Sequence, residues 1–210
     1  MKKSKPKLLR GKKLTKKLDD KIREIVKSKD NWIREKIQHI QKYNDQPHPP
    51  GKELVNGESV LYMGRLYQIE IVGEGLSDIC FEQRFLIPVT VAKNGKSALR
   101  RWYISRAIEK IIPRAKLFAN TLGVKYSNIK IVNTQFRWGS CSPNNNVSFN
   151  WRLIKAPMFV IDYVIVHELA HLLESNHSVR FWNIVRAQSP NMEKAKQWLL
   201  EYGQLLEEDI

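Results

Sequence analysis

The stretch from Pro157 to Leu173 constrains the fold more than any other part of the chain. Val160, Ile161, Val164, Ile165, Val166, Leu169, Ala170 and Leu172 cover almost the whole circumference of a helix there. A helix that is apolar on all sides must be buried, so the other elements have to pack round it. Yet His167, Glu168 and His171 stand in its middle. Such groups seldom enter a core unless they are paired or bound to a metal.

Their spacing supplies a reason. His167 and His171 are one helical turn apart, so both imidazoles leave the same face and can share one ion. Glu168 is rotated by roughly 100°, badly placed as a ligand but near a water on that ion. A catalytic zinc site takes three protein ligands plus water. The third is His177, six positions after His171, past Glu174-Ser175-Asn176. Asn176 is expected to ease the turn, because Asn tolerates left-handed backbone. With five His and fourteen Glu in the chain, an HExxH arises by chance with a probability of about 0.8%. The spacing therefore predicts a Zn2+ site of His167, His171 and His177, with Glu168 as the catalytic acid/base of a zinc-dependent hydrolase acting on peptide bonds. The bland alternative is a set of buried histidines satisfied by hydrogen bonds.

The remaining polar residues near the motif read as structural. Asp162 lies five positions before His167, off the metal face, and reads as structural or as a support behind the ligands, while Tyr163, four before His167, is within reach of the site but reads rather as a core aromatic. His39 and His48 fall on a basic helix and in a proline linker, and both read as surface residues. Cys80 and Cys141 stand far apart in no paired-spacing motif and read as free thiols of a reducing compartment. With lysines rather than an apolar core after Met1 and no run of about 18 apolar residues, a cytoplasmic protein without membrane partners is expected.

Periodicity divides the 210 residues into two parts. Residues 1 to 13 read as a basic arm, and Leu14 to Tyr43 as an amphipathic helix or helix pair. Gln46-Pro47-His48-Pro49-Pro50-Gly51 reads as a linker. The formal charge of +15 is concentrated here: residues 1 to 44 hold sixteen Lys or Arg against five Asp or Glu. That imbalance makes nucleic acid a partner to be considered beside the peptide or protein substrate, the alternative being a solvated helix face.

Beyond the linker, Glu58–Val72 and Phe81–Val91 read as a small antiparallel sheet whose first two strands meet at Met63-Gly64-Arg65. Ala98 to Leu122 reads as a helix closed by Gly123, with a kink suggested at Pro113. Ile129–Trp138 and Val147–Leu153 read as strands joined by a turn-rich segment. Val147 to Trp151 is expected to offer an exposed edge to a peptide. Helices near Ser178–Gln188 and Met192–Glu207 complete an α+β fold. The expected division is a basic helical segment at 1–50 and a catalytic domain at 51–210.

Three runs carry a family resemblance: Asn133-Thr134-Gln135-Phe136-Arg137-Trp138-Gly139-Ser140-Cys141-Ser142, Asn150-Trp151-Arg152-Leu153-Ile154-Lys155-Ala156-Pro157, and Asp162 through His171. Together with Asn176-His177-Ser178 and Phe181-Trp182, they resemble the YgjP-like metal-dependent hydrolases. The resemblance implies a zincin-like catalytic half, zinc on His167, His171 and His177, and Glu168 as catalytic acid/base. The third His followed shortly by Phe is also similar to the Wss and SprT-like proteases that act on DNA-bound proteins. Two departures stand out. The family's opening β-hairpin has no counterpart before Trp32-Ile33, and Glu174 stands where metzincins have Gly. For Arg137-Trp138-Gly139-Ser140-Cys141-Ser142 the sequence leaves several roles open: Arg137 holding a substrate carboxylate or pairing with an acid behind the ligands, a ligand in Cys141, or, the reading favoured, a strand end with a tight glycine turn. A closed, structural zinc site in a nucleic-acid-binding module would need Cys141 as its fourth ligand.

Overall fold

The computed structural model describes residues 19–27, 30, 34, 53–73, 75–135 and 137–207. The chain divides into two units, Met1–His48 and Pro49–Ile210. In the first, residues 19–27 are helical, as are 30 and 34, where Arg34 and Asp30 form an exposed ion pair at 2.7 Å. The basic arm, His39, His48 and the proline linker lie outside the described residues.

The second unit opens with a hairpin of β1 (Ser59–Tyr62) and β2 (Arg65–Val72), paired antiparallel with Tyr62 opposite Arg65. Met63 and Gly64 turn the corner with φ of 50° and 78°. Positive φ at both positions gives a turn whose twist matches that of the strands. Met63 and Gly64 also donate their N–H groups to Ile154 and Lys155 carbonyls at 3.0 and 2.7 Å, so the hairpin tip docks on a later segment. Two short strands follow, β3 (Cys80–Phe81) and β4 (Phe85–Pro88), then one helical turn at Val89–Ala92. The sheet order is β1-β2-β4-β3. Because β2 and β4 run parallel, this sheet is mixed and not the antiparallel one expected.

Helix α1 (Gly95–Leu122) is the spine of the unit. All its buried residues but Ala98 recur every fourth position, Gly95, Leu99, Tyr103, Ala107, Ile111, Ala115 and Ala119. A row of that spacing drifts by roughly 40° per step, so the buried line winds round the helix. Its first half packs Trp102 and Tyr103 among Tyr62 and Phe85 of the first sheet, with Trp102 5.0 Å from Tyr62 and 4.8 Å from Phe85. Its later part meets the HExxH helix and the second sheet. The helix runs on through Pro113 and stops at left-handed Gly123, φ 66°.

The second sheet holds β5 (Asn128–Val132), β6 (Gly139–Cys141) and β7 (Asn146–Asn150), in the order β5-β7-β6. Here β5 and β7 are parallel, β6 and β7 antiparallel. The expected strand to Trp138 stops at Val132, and the turn-rich segment contains β6. The expected edge at Val147–Trp151 is corrected: β7 is the central strand, paired on both sides, and residues 151–155 form a 3₁₀ turn. Helices α2 (Met158–Ala170), α3 (Val179–Gln188) and α4 (Met192–Glu207) complete the chain. The unit is α+β, with a core centred on α2. Among the described residues no helix is long and apolar enough to cross a membrane.

Candidate metal centre

Helix α2 starts after Pro157, in extended conformation at φ −60° and ψ 152°. It buries residues on every side and contacts α1, α3, α4, β6 and β7. The helix stops at Ala170, one turn short of the expected Leu173, and His171 is its last half-helical residue. The chain then turns with Leu172, Leu173 and Glu174 N–H groups bonded to Leu169 and Ala170 carbonyls. No residue of the turn takes a positive φ, so Asn176 does not supply the left-handed step expected of it. Ser178 caps α3, its Oγ accepting from the Phe181 N–H at 3.2 Å. His177 therefore sits immediately before a helix start.

This path brings the three histidines together. One ligand atom from each of His167, His171 and His177 lies within 4.8 Å of the others. His167 Nε2 and His177 Nε2 are 3.1 Å apart. Nitrogens on a tetrahedral zinc at about 2.1 Å stand roughly 3.4 Å apart, so the donor set fits such an ion with little adjustment. His171 Nδ1 faces the Glu174 carbonyl at 3.2 Å, which leaves its Nε2 for a metal. Phe181 and Trp182 hold the rings in place. Phe181 lies 4.6 Å from His171, and Trp182 stacks on His177 at 5.4 Å with Lys196 Nζ 4.1 Å above the indole.

Glu174 was read in the sequence only as a residue that is not Gly, yet it braces the whole turn. Its carbonyl meets His171, and its carboxylate accepts from Ser178 Oγ at 3.3 Å and pairs with Arg180 at 3.3 Å. Asp162 is structural, as expected: it binds Arg114 of α1 through two hydrogen bonds. Tyr163 packs its ring 5.9 Å from His167, and burial pushes its hydroxyl up to about 12. Met192 is buried and opens α4.

Glu168 is 8% exposed and lies against β6. A Cβ placed on Gly139 would stand 2.6 Å from Glu168 Cγ and 2.9 Å from its Oε1, so only glycine lets the carboxylate side chain rest on that strand. Burial pushes the Glu168 carboxyl up to about 7, opposed by the positive charge of Arg137. Burial, then His171, His177 and Lys196, pushes His167 down to about 3, so it stays a neutral imidazole available as a ligand. Both Cys80 and Cys141 are free thiols. Cys141 stands outside the three-histidine group, and among the described residues no fourth side chain closes it.

The motif before β6 has a structural explanation that its sequence concealed. Asn150, fully buried, donates from Nδ2 to the carbonyls of Thr134 and Arg137 at 2.7 and 3.0 Å. Its N–H donates to the Trp138 carbonyl at 2.8 Å. Asn133 Oδ1 accepts from Trp151 Nε1 and Arg152 at 3.1 and 2.7 Å. The Asn150-Trp151-Arg152 run is thus a clamp for the loop that precedes β6.

Three converging imidazoles beside a buried acid, next to a strand edge, are the donor set of a metal-dependent hydrolase. A family model described as YgjP-like, metallopeptidase domain, matches residues 15–202, and the chain belongs to the YgjP-like family. Two solved structures are similar in part. The metallopeptidase zymogen jannalysin of Methanocaldococcus jannaschii is 20% identical, with a TM-score of 0.40 over 44% of this chain and 95% of its own. The metallopeptidase zymogen abylysin of Pyrococcus abyssi is 19% identical, with a TM-score of 0.37 over 43% and 95%. No curated protein matches the chain.

Proposed function

We propose that residues 51–210 form a zincin-like metallopeptidase in which His167, His171 and His177 hold zinc and Glu168 carries the proton. The observation that carries this reading is the convergence of the three imidazoles beside a buried carboxylate that is not one of them. Zinc, when bound, supplies Lewis acidity toward a scissile carbonyl and lowers the pKa of a water held there. Glu168 takes a proton from that attacking water on its carboxylate and returns it to the leaving amine. Gly139 leaves the room that lets the carboxylate rest on β6. As an edge strand, β6 is where an extended peptide can add to the sheet, in place of the Val147–Trp151 edge read from the sequence. Phe181 and Trp182 pack against the ligand rings of His171 and His177.

The experiment joins elemental analysis to a cleavage assay. Wild type should hold about one zinc per chain, and His171→Ala should lose it. Glu168→Gln should keep its zinc while hydrolysis falls by about 10³-fold, because the carboxylate moves a proton and holds no metal. Wild type that takes up no zinc even when it is supplied would refute the ligand assignment. A Glu168→Gln variant as fast as wild type would refute the proton-carrier role.

A further inference from the structure

In the run from Arg137 to Ser142, Gly139 makes room for Glu168. The run's first residue is exposed, yet the backbone that carries it is held more tightly than a surface side chain requires. Six hydrogen bonds fix the loop 133–138: two from Asn150 Nδ2, one from the Asn150 N–H, one from Thr134 Oγ1 to the Arg137 carbonyl, and two onto Asn133 Oδ1. Most of these partners, Asn150, Trp151 and Arg152, are buried. An exposed arginine on a backbone anchored to the core is presented at a fixed place.

That place adjoins the proposed proton carrier. Gly139, two residues on, is in contact with Glu168. Three other arginines of this unit are held in ion pairs: Arg114 with Asp162, Arg152 with Glu207, Arg180 with Glu174. Among the described residues Arg137 has no acidic side chain at ion-pair distance. Its donors are therefore free for something that arrives from outside. A planar guanidinium is matched best by a carboxylate, which it can hold through two parallel hydrogen bonds.

We propose that Arg137 is a specificity-determining residue that binds a carboxylate of the peptide near the scissile bond. This deepens the peptidase reading above and rests on it. Extended peptide advances about 3.3 Å per residue and an arginine side chain reaches about twice that, so the carboxylate lies within roughly two residues of the cleaved bond. It is either the C-terminal carboxylate or the side chain of Asp or Glu, and the two sources present the same chemistry to the guanidinium.

The test uses zinc-loaded, full-length Glu168→Gln protein and labelled hexapeptides of one neutral sequence: C-terminally amidated, with a free C-terminus, and amidated with a single internal Glu. Fluorescence polarisation should show at least one carboxylate peptide binding about tenfold or more tighter than the neutral one. Adding Arg137→Gln should abolish that difference and leave the neutral peptide's affinity unchanged, whereas Arg137→Lys should keep part of it. Arg101→Gln, at an exposed position of α1, removes the same charge elsewhere and should change nothing. Whichever carboxylate peptide gains affinity identifies the source. Absence of a carboxylate preference, including absence of binding, overturns the assignment. So does an Arg137→Gln variant that weakens neutral and acidic peptides alike. Carboxylate-selective binding without hydrolysis by wild type would refute the peptidase reading and leave the Arg137 site standing. Hydrolysis indifferent to peptide charge would do the reverse.

Discussion

Glu168 carries a consequence for stability that is separate from catalysis. Its folded pKa of about 7 stands above the ordinary 4.5, so the folded chain holds a proton that the unfolded chain releases between those values. The stability linked to this proton is complete below about pH 4.5 and is lost as pH rises through about 7. The full loss amounts to about 3 kcal/mol, from about 1.4 kcal/mol per pKa unit. His167 works in the other direction, because burial keeps it neutral down to about 3 while the unfolded chain takes up a proton below 6.5. The informative comparison is therefore wild type against Glu168→Gln, in which the histidine contribution is common. In chelator-treated protein, Glu168→Gln should gain stability over wild type at pH 8 relative to pH 5, measured by urea unfolding. An equal difference at both pH values would show that burial does not hold the proton on Glu168. At this scale the three histidines and Glu168 were legible because one helical turn fixes which side chains meet. Glu174, Asn133 and Asn150 were not, since their partners are carbonyls and side chains brought near only by the finished fold.

At the scale of elements, helices were read nearly to their ends, because an apolar stripe or an apolar cylinder survives any tertiary arrangement. The small strands were not. β6 is Gly-Ser-Cys, with no hydrophobic alternation to announce it, and its place beside Glu168 depends on lacking a side chain at Gly139. β7 carries Ser148 and Asn150, which resemble the polar face of an edge strand. In the fold both are buried, Ser148 on Ser140 at 2.8 Å and Asn150 on the carbonyls of the loop. Parallel pairing of β2 with β4 and of β5 with β7 is likewise invisible to local pattern, since it is set by what lies between the strands. The β1–β2 turn was legible as a turn but not as a docking point. Gly64 has φ 78°, and a Cβ there would stand 2.5 Å from Pro157 Cγ, at the start of α2. Gly64→Ala should cost more than about 2 kcal/mol, from left-handed strain and from displacement of Pro157 together. Urea denaturation that places the variant within about 0.5 kcal/mol of wild type would show that the hairpin tip yields freely.

Across the second unit, the core and the metal centre are held by different means. The α2 residues are locked between α1, the second sheet and the two last helices. His177 is the exception: it is exposed, lies outside α2, and is placed by the turn from His171, the start of α3 and its stacking on Trp182. A zinc held by all three histidines would tie that turn to α2, adding binding energy to the folded state alone. Zinc at about a thousand times its dissociation constant should then stabilise wild type by about 4 kcal/mol. At roughly 2–4 °C per kcal/mol for a unit of this size, the melting temperature rises by about 8–16 °C. His177→Ala should leave the chelated protein's melting temperature nearly unchanged, because an exposed ring adds little to the core, while removing most of the zinc-induced rise. Scanning calorimetry with chelator and with excess zinc reads both quantities from one pair of proteins. A zinc-induced rise in His177→Ala equal to that of wild type would mean that the ion is held without His177. A large drop in the chelated variant would mean that the ring is part of the packing and not poised for a metal.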